Sequence, residues 1–165
     1  MRGPSPFLRS RQNGRVRISA KADYAVRAAL ELAAADGPMK AERIAAAQGI
    51  PRGFLENILI ELRHAGIARS QRGPEGGHRL AKDPSEISIA DVIRAAEGPL
   101  ATVRGGPPEE VEYAGAAERL QDVWIALRSN IRGVLETVTL AEVVEGSLAP
   151  EIEELARNPE SWLTR

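Results

Sequence analysis

The 165-residue chain contains no cysteine, which excludes disulfides, thiolate metal sites and a cysteine nucleophile. It has only two histidines, His64 and His78, so a metal site would have to lean on carboxylates, and no clustering of them suggests one. No Ser–His–Asp pattern is present either. An enzymatic role is therefore not expected. No run of 18 apolar residues occurs, so no segment is expected to span a membrane. The N-terminus lacks the apolar core of a signal peptide, which points to the cytoplasm.

What the chain does have is a marked charge asymmetry. Residues 1–82 carry 15 Lys and Arg against 7 Asp and Glu, whereas residues 83–165 carry 7 against 16. A formal net charge of −1 hides a first half suited to a polyanion. The acidic second half reads as a solvated face that limits indiscriminate sticking. The length fits one domain with an appendage, enough to bury a real core.

Residues 1–16, rich in Arg, Pro, Gly and Ser without an apolar period, read as a disordered basic tail. Residues 17–97 read as one unit. Ser19 is a candidate N-cap for a helix from Ala20 to Ala35, with Ala22, Val26, Ala29, Leu30 and Ala33 on its apolar face. Asp36-Gly37-Pro38 stops it. A short alanine-rich helix from Lys40 to Gln48 holds Ile44 inward, and Gly49 supplies a turn. Pro51 opens a third helix, to Ala65, near its first position, where a missing N–H costs nothing. Phe54, Leu55, Ile58, Leu59 and Leu62 form its inner face. After Asp83-Pro84, the capping box Ser88-Ile89-Ala90-Asp91 starts a helix to Glu97. Residues 98–113, with three glycines (Gly98, Gly105, Gly106) and three prolines (Pro99, Pro107, Pro108), read as a mobile loop. Residues 114–146 read as dimerisation helices: a long helix from Ala114 to Glu136, then a short one capped by Thr139. Residues 147–165 read as an acidic, flexible or loosely docked tail.

The segment Ser70-Gln71-Arg72-Gly73-Pro74-Glu75-Gly76-Gly77-His78-Arg79-Leu80-Ala81 is the most telling. Two short alternating stretches, 67–71 and 78–81, flank a tip of glycine and proline. This is a β-hairpin with a φ-positive tip, charged by Arg69, Arg72 and Arg79. A basic hairpin after two helices and a turn is the layout of a winged helix-turn-helix. The expected fold is mainly α with a two-stranded wing, and the expected partner is double-stranded DNA. A glycine loop could also cradle a phosphate, but no helix follows Gly77 to supply a positive N-terminus.

In such a motif the first turn of the second helix faces base edges. Here it carries Arg52, Gly53, Glu56 and Asn57. Arg suits guanine or phosphate, Glu can accept from a cytosine amino group, and Asn can pair with adenine. The plainer reading is an exposed helix start, with Glu56 favourable near the positive end of the dipole. Arg72 at the wing tip can enter a narrow minor groove. Gly73, Gly76 and Gly77 serve backbone geometry at the tip. His64 reads as a helix-end residue and His78 as a strand residue near DNA.

In the long helix, Leu120, Trp124, Leu127, Ile131, Val134 and Val138 step by 4, 3, 4, 3, 4, a heptad seam. Such a helix packs on its own domain or meets a second copy. The strict seam outside the compact unit favours a dimer. Two rivals to a DNA-binding dimer stand: a winged-helix module that docks on a protein, and an enzyme, which the residue inventory disfavours.

Ile18-Ser19-Ala20-Lys21-Ala22-Asp23-Tyr24-Ala25-Val26-Arg27, Phe54-Leu55-Glu56-Asn57-Ile58-Leu59, Ala65-Gly66-Ile67, Arg72-Gly73-Pro74-Glu75-Gly76-Gly77 and Ala96-Glu97-Gly98-Pro99-Leu100 together resemble the Rrf2 family. These are the IscR-, NsrR- and CymR-type winged-helix regulators of bacteria. The resemblance covers about residues 17–145. It implies a cytoplasmic homodimeric transcriptional regulator, a repressor in our reading, on a pseudo-palindromic operator, with the long helix at the interface. It implies base readout around Glu56 and Asn57 and minor-groove insertion by Arg72. The full DNA-contacting set then comprises Arg17, Ser19, Lys21, Tyr24, Lys40, Pro51, Arg52, Gly53, Phe54, Glu56, Asn57, Ser70, Arg72, Gly73, Gly76, Gly77 and His78. Many members hold an iron–sulfur cluster through three cysteines, and the matching residues, about 100–117, contain none. No cofactor is expected. The cysteine-free state is closer to the CymR-type branch, which takes its signal from a partner protein. A small-molecule or protein effector acting near the 98–113 loop, by changing the spacing of two DNA-binding units, is the expected regulation. His78 also stands where the family usually has a tyrosine.

Overall fold

The computed structural model describes residues 18–164; Arg17 and the basic tail lie outside them. Seven α-helices and one two-stranded antiparallel sheet form the described part: α1 (Ala20–Ala34), α2 (Ala41–Gln48), α3 (Arg52–His64), β1 (Ala68–Gln71), β2 (Gly77–Leu80), α4 (Ile89–Glu97), α5 (Leu120–Leu135), α6 (Leu140–Glu145) and α7 (Pro150–Arg157). The mainly helical class with a two-stranded wing is as expected. Among the described residues, no helix is long and apolar enough to cross a membrane.

Helix α1 is the central strut. The Ser19 hydroxyl accepts from the Ala22 amide and caps it, satisfying one of the first-turn donors. Its buried residues are Ala22, Ala25, Ala28, Ala29 and Leu32. Val26, Leu30 and Ala33, expected inward, are only half-buried. The buried face is wider and turned relative to a simple stripe, because α1 packs against α2, α3, α4, α6 and β2. Alanine lets helix axes approach closely on several sides at once.

Helix α3 seats on α1 through Leu55, Ile58, Leu59 and Leu62, all at most 1% exposed. Phe54, expected in this inner face, is instead 56% exposed. It follows Gly53 on the outer side and meets Tyr24 edge-on, ring centroids 6.0 Å apart. Pro51 is the N-cap residue rather than the first helical one. Gly49 closes α2 in the left-handed region, φ +62°, which makes the turn between the two helices.

The wing pairs Ala68 with Leu80, Arg69 with Arg79, Ser70 with His78 and Gln71 with Gly77. Ala68 and Leu80 point to the core. A contact invisible in the sequence anchors β2 from its other side: Met39 and His78 exchange backbone hydrogen bonds of 2.8 and 2.7 Å. A β-carbon at Gly77 would stand 2.5 Å from the Met39 carbonyl oxygen, and one at Gly76 2.2 Å from that of Gln71. Gly76 and Gly77 are therefore there for close backbone approach, whereas Gly73 has open space and serves its positive φ of +105°.

Beyond the wing, both later capping boxes form as expected, Ser88 with Asp91 and Thr139 with Glu142. The chain around Val138–Leu140 returns to the first unit: Ile89 donates to the Val138 carbonyl and Leu140 to that of Ile87. Leu140 is fully buried in the main core.

Two expectations need correction here. The long helix begins at Leu120, after a single 3-10 turn at Gly115–Ala117, not at Ala114; glycine at 115 adopts φ +61°, which an α-helix does not accommodate. Residues 98–113 are not a loose loop. Leu100, Pro108 and Val111 are buried, and the Gln121 amide donates to the carbonyls of Pro108, Glu109 and Val111. The acidic C-terminal stretch contains α7, started by Pro150 with Glu151 and Glu153 in its first turn and without a buried residue, a favourable arrangement at the positive end of the dipole.

Gly77→Ala should detach β2 from Met39 and lower stability by about 1–3 kcal/mol. Urea unfolding checks this, and an unchanged midpoint would refute the close-approach role.

Candidate nucleic-acid interface

The outward side of α3 and the wing form one continuous surface, since Arg63 at the end of α3 donates to the Ser70 hydroxyl on β1. Along α3 the exposed residues are Arg52, Gly53, Phe54, Glu56, Asn57, Ile60, Arg63 and His64. The four inward aliphatics dictate which residues these are, because a helix buried on one face must present the other. Gly53 has open space around it. The exposed Asn57 amide has no protein partner among the described residues.

The cations fall into two groups. Lys21 pairs with Glu61 at 2.8 Å. Arg27 pairs with Asp23, donates to the Gln48 carbonyl at the helix-turn-helix turn and lies over the Tyr24 ring. Arg52 pairs with both Glu42 and Glu56. These side chains are committed to partners within the motif. By contrast Lys40, Arg63, Arg69, Arg72 and Arg79 have no carboxylate within ion-pairing distance among the described residues. Arg69 and Arg79 stand directly opposite each other across the sheet, where like charges repel.

Of the expected site residues, the structure brings Arg52, Gly53, Phe54, Glu56 and Asn57 to the outer face of α3, with Pro51 at its entry. Ser70, Arg72, Gly73, Gly76, Gly77 and His78 make the wing, and Lys40 is exposed just before α2. Ser19 is taken up by its cap and by a hydrogen bond to Glu97. Lys21 and Tyr24 are half-buried and engaged with Glu61 and with Phe54 and Arg27. Sequence reasoning overlooked Arg63, seven residues after Glu56 and thus on the same helical face. It also overlooked Glu42, which no local pattern marks.

Electrostatics follow this layout. Glu42 sits below the ordinary carboxylate range, first through a backbone hydrogen bond in the opening turn of α2 and then through Arg52. Arg52 is held charged, chiefly by its hydrogen bond to Glu56 and then by Glu42. Partial burial, reinforced by Arg63 and opposed by Glu42, pushes His78 below the usual imidazole value, and its Nδ1 has no partner.

The seam of the long helix divides. Trp124 donates to the Tyr113 hydroxyl at 2.9 Å, and Ile131, with Leu135, packs on Ala22, Ala90, Ile93 and Leu100. Arg128, on the same side, pairs with Glu109. Val138 is buried beyond the end of α5. Leu120 and Leu127 are half-buried, while Val123 and Val134, flanking them on the helix, are exposed.

With this geometry established, the relatives speak directly. A family described as Rrf2, iron-dependent transcriptional regulator, matches residues 18–146. The chain belongs to the Rrf2 family. A protein named as an HTH-type transcriptional regulator of Mycobacterium tuberculosis H37Rv is 51% identical over 143 residues, spanning 86% of this chain and 89% of that protein. The regulator CymR of Bacillus subtilis is 33% identical over 130 residues, 78% of this chain and 89% of CymR. The solved structure of that CymR, called the global cysteine regulator, superposes with a TM-score of 0.68 at 32% identity, covering 80% of this chain and 98% of that one. IscR of T. potens gives 0.66 at 28% identity, covering 91% and 93%. An Rrf2-family chain of this kind is a DNA-binding transcriptional regulator and not an enzyme.

The family description mentions iron, and the donor set here does not fit an iron–sulfur cluster. Such clusters are held by thiolates, with histidine as the occasional substitute. The chain has no cysteine, and its two histidines lie on α3 and the wing, outside residues 98–117.

Because the folded chain disfavours the charged form of His78, the unfolded chain binds more protons between the two pKa values. Stability should therefore fall as pH drops below the ordinary histidine range, and be unaffected by this group above it. His78→Gln should lack that component. Thermal melts of both proteins from neutral to mildly acidic pH check it, and parallel curves would refute it.

Proposed function

We propose that the chain represses transcription as a homodimer on a pseudo-palindromic operator, and that it does so without an iron–sulfur cluster. In this reading α3 enters the major groove and the wing lies along the adjacent minor groove. The observation that carries it is the unneutralised charge of the wing. Arg69 and Arg79 face each other with no carboxylate nearby, and Arg72 stands exposed beyond them. A fold tolerates opposed like charges at little benefit to itself; a polyanion across them turns the repulsion into binding energy. Arg72 and the tip glycines meet the backbone or the minor groove, while Glu56 and Asn57 read base edges.

The dimer contact in this reading is the outer side of α5, with Val123 and Val134 exposed and Leu120 and Leu127 beside them. Trp124 and Ile131 support it from behind by fixing α5 on its own chain. A small-molecule or protein effector acts on the 98–113 segment, which is tied to α5 through Gln121, Glu109 and Tyr113. Shifting that segment would reorient α5 and change the spacing of the two reading heads. A module that docks on protein alone would lack a steep salt dependence of DNA affinity.

Two experiments test the reading on a duplex selected by the protein from random-sequence DNA. Arg72→Ala should weaken binding to the selected and to unrelated DNA alike, with a shallower salt slope. Glu56→Ala should keep or raise non-specific affinity while losing about 1–3 kcal/mol of discrimination at one base pair per half-site. Full discrimination in Glu56→Ala would show that the helix is read from other residues.

For the dimer, Val123→Glu with Val134→Glu should yield folded monomers by sedimentation, with weaker binding to the selected duplex. Both side chains are exposed, so the fold is spared. A dimeric double variant would reject this interface.

A further inference from the structure

Arg52, the first residue of α3, joins the two helices of the reading head. Its Nε donates to Glu56 Oε1 at 3.0 Å and its Nη2 donates to Glu42 Oε1 at 2.6 Å. These donors share one side edge of the planar guanidinium, so that edge is consumed by two carboxylates from different helices. The other edge, ending in Nη1, has no partner among the described residues, and neither has Glu56 Oε2.

Stability gives little reason for this arrangement. The three side chains are 62%, 56% and 54% exposed for Arg52, Glu42 and Glu56, and exposed ion pairs contribute little. Two carboxylates on a face that meets phosphates also oppose binding. They are useful there if they restrain the arginine. An unrestrained Arg52 can swing to a phosphate, which adds affinity without sequence information. Held on one edge, it offers two parallel donors that match O6 and N7 of guanine. Glu56 Oε2, fixed by the same contact, is an acceptor for a cytosine amino group.

We propose that Glu42, on α2, is a specificity-determining positioning residue: it locks Arg52 against Glu56 so that the pair reads a guanine and a neighbouring cytosine amino group. The proposal rests on the reading of α3 as the helix in the major groove. Glu42 itself touches no base.

The test uses the full chain, the selected duplex, its single-base variants and a random duplex. Glu42→Gln keeps the shape and removes the charge. It should bind the random duplex more tightly, with a salt slope steeper by about one phosphate contact. Discrimination at the guanine position should fall roughly five-fold or more. Adding Glu42→Gln to Arg52→Ala should change discrimination no further, which a general charge effect would not produce. Thermal melts confirm that the variants fold. Full discrimination in Glu42→Gln, or an equal loss with and without Arg52, overturns the inference. Loss in Glu56→Ala without loss in Glu42→Gln overturns this inference alone. Retained discrimination in Glu56→Ala overturns the interface reading and this inference with it.

Discussion

The reading surface depends on one packing event, the seating of α3 on α1. Leu55, Ile58, Leu59 and Leu62 are removed from water almost completely, each contributing about 1.5–3 kcal/mol of burial free energy. That burial leaves a single rotational setting for α3. Arg52, Glu56, Asn57 and Arg63 then face outward as a consequence of that burial, and the contacts of Arg52 with Glu42 and Glu56 and of Arg63 with Ser70 act on side chains already placed there. The turn at Gly49 and the Arg27 bond to the Gln48 carbonyl secure the angle at which α2 delivers α3.

Charge is then distributed by function. Arginines that build the motif are paired: Arg27 with Asp23, Arg52 with Glu42 and Glu56. Those of the wing are left unpaired, at the cost of mutual repulsion between Arg69 and Arg79. A net charge near zero therefore conceals two economies, in which cations are quenched where geometry matters and free where long-range attraction matters.

The 98–113 segment is held by ordinary polar contacts. One glutamine amide reaches three backbone carbonyls, and Glu109 and Tyr113 meet Arg128 and Trp124. Trp124, Ile131 and Val138 of the expected seam thus make contacts within their own chain. Val123, Ile125 and Val134 are the exposed large apolar side chains of α5.

By itself the sequence determined the local elements. Ser19, Ser88 and Thr139 mark helix starts because capping is a contact of three or four residues. The glycine-rich stretch 73–77 marks the wing because few other residues accept its backbone. The bases of the charge asymmetry and the exclusion of thiolate chemistry are compositional and equally plain. Only the tertiary structure decided which cations are free, because the partners Glu42 of Arg52 and Glu61 of Lys21 come from other helices. It also decided that Phe54 lies outside, that Met39 pairs with the wing, and that Trp124 and Ile131 turn inward. A heptad spacing reports that a helix has an apolar stripe; what covers the stripe depends on distant residues, and distance along the chain carries no record of proximity in space.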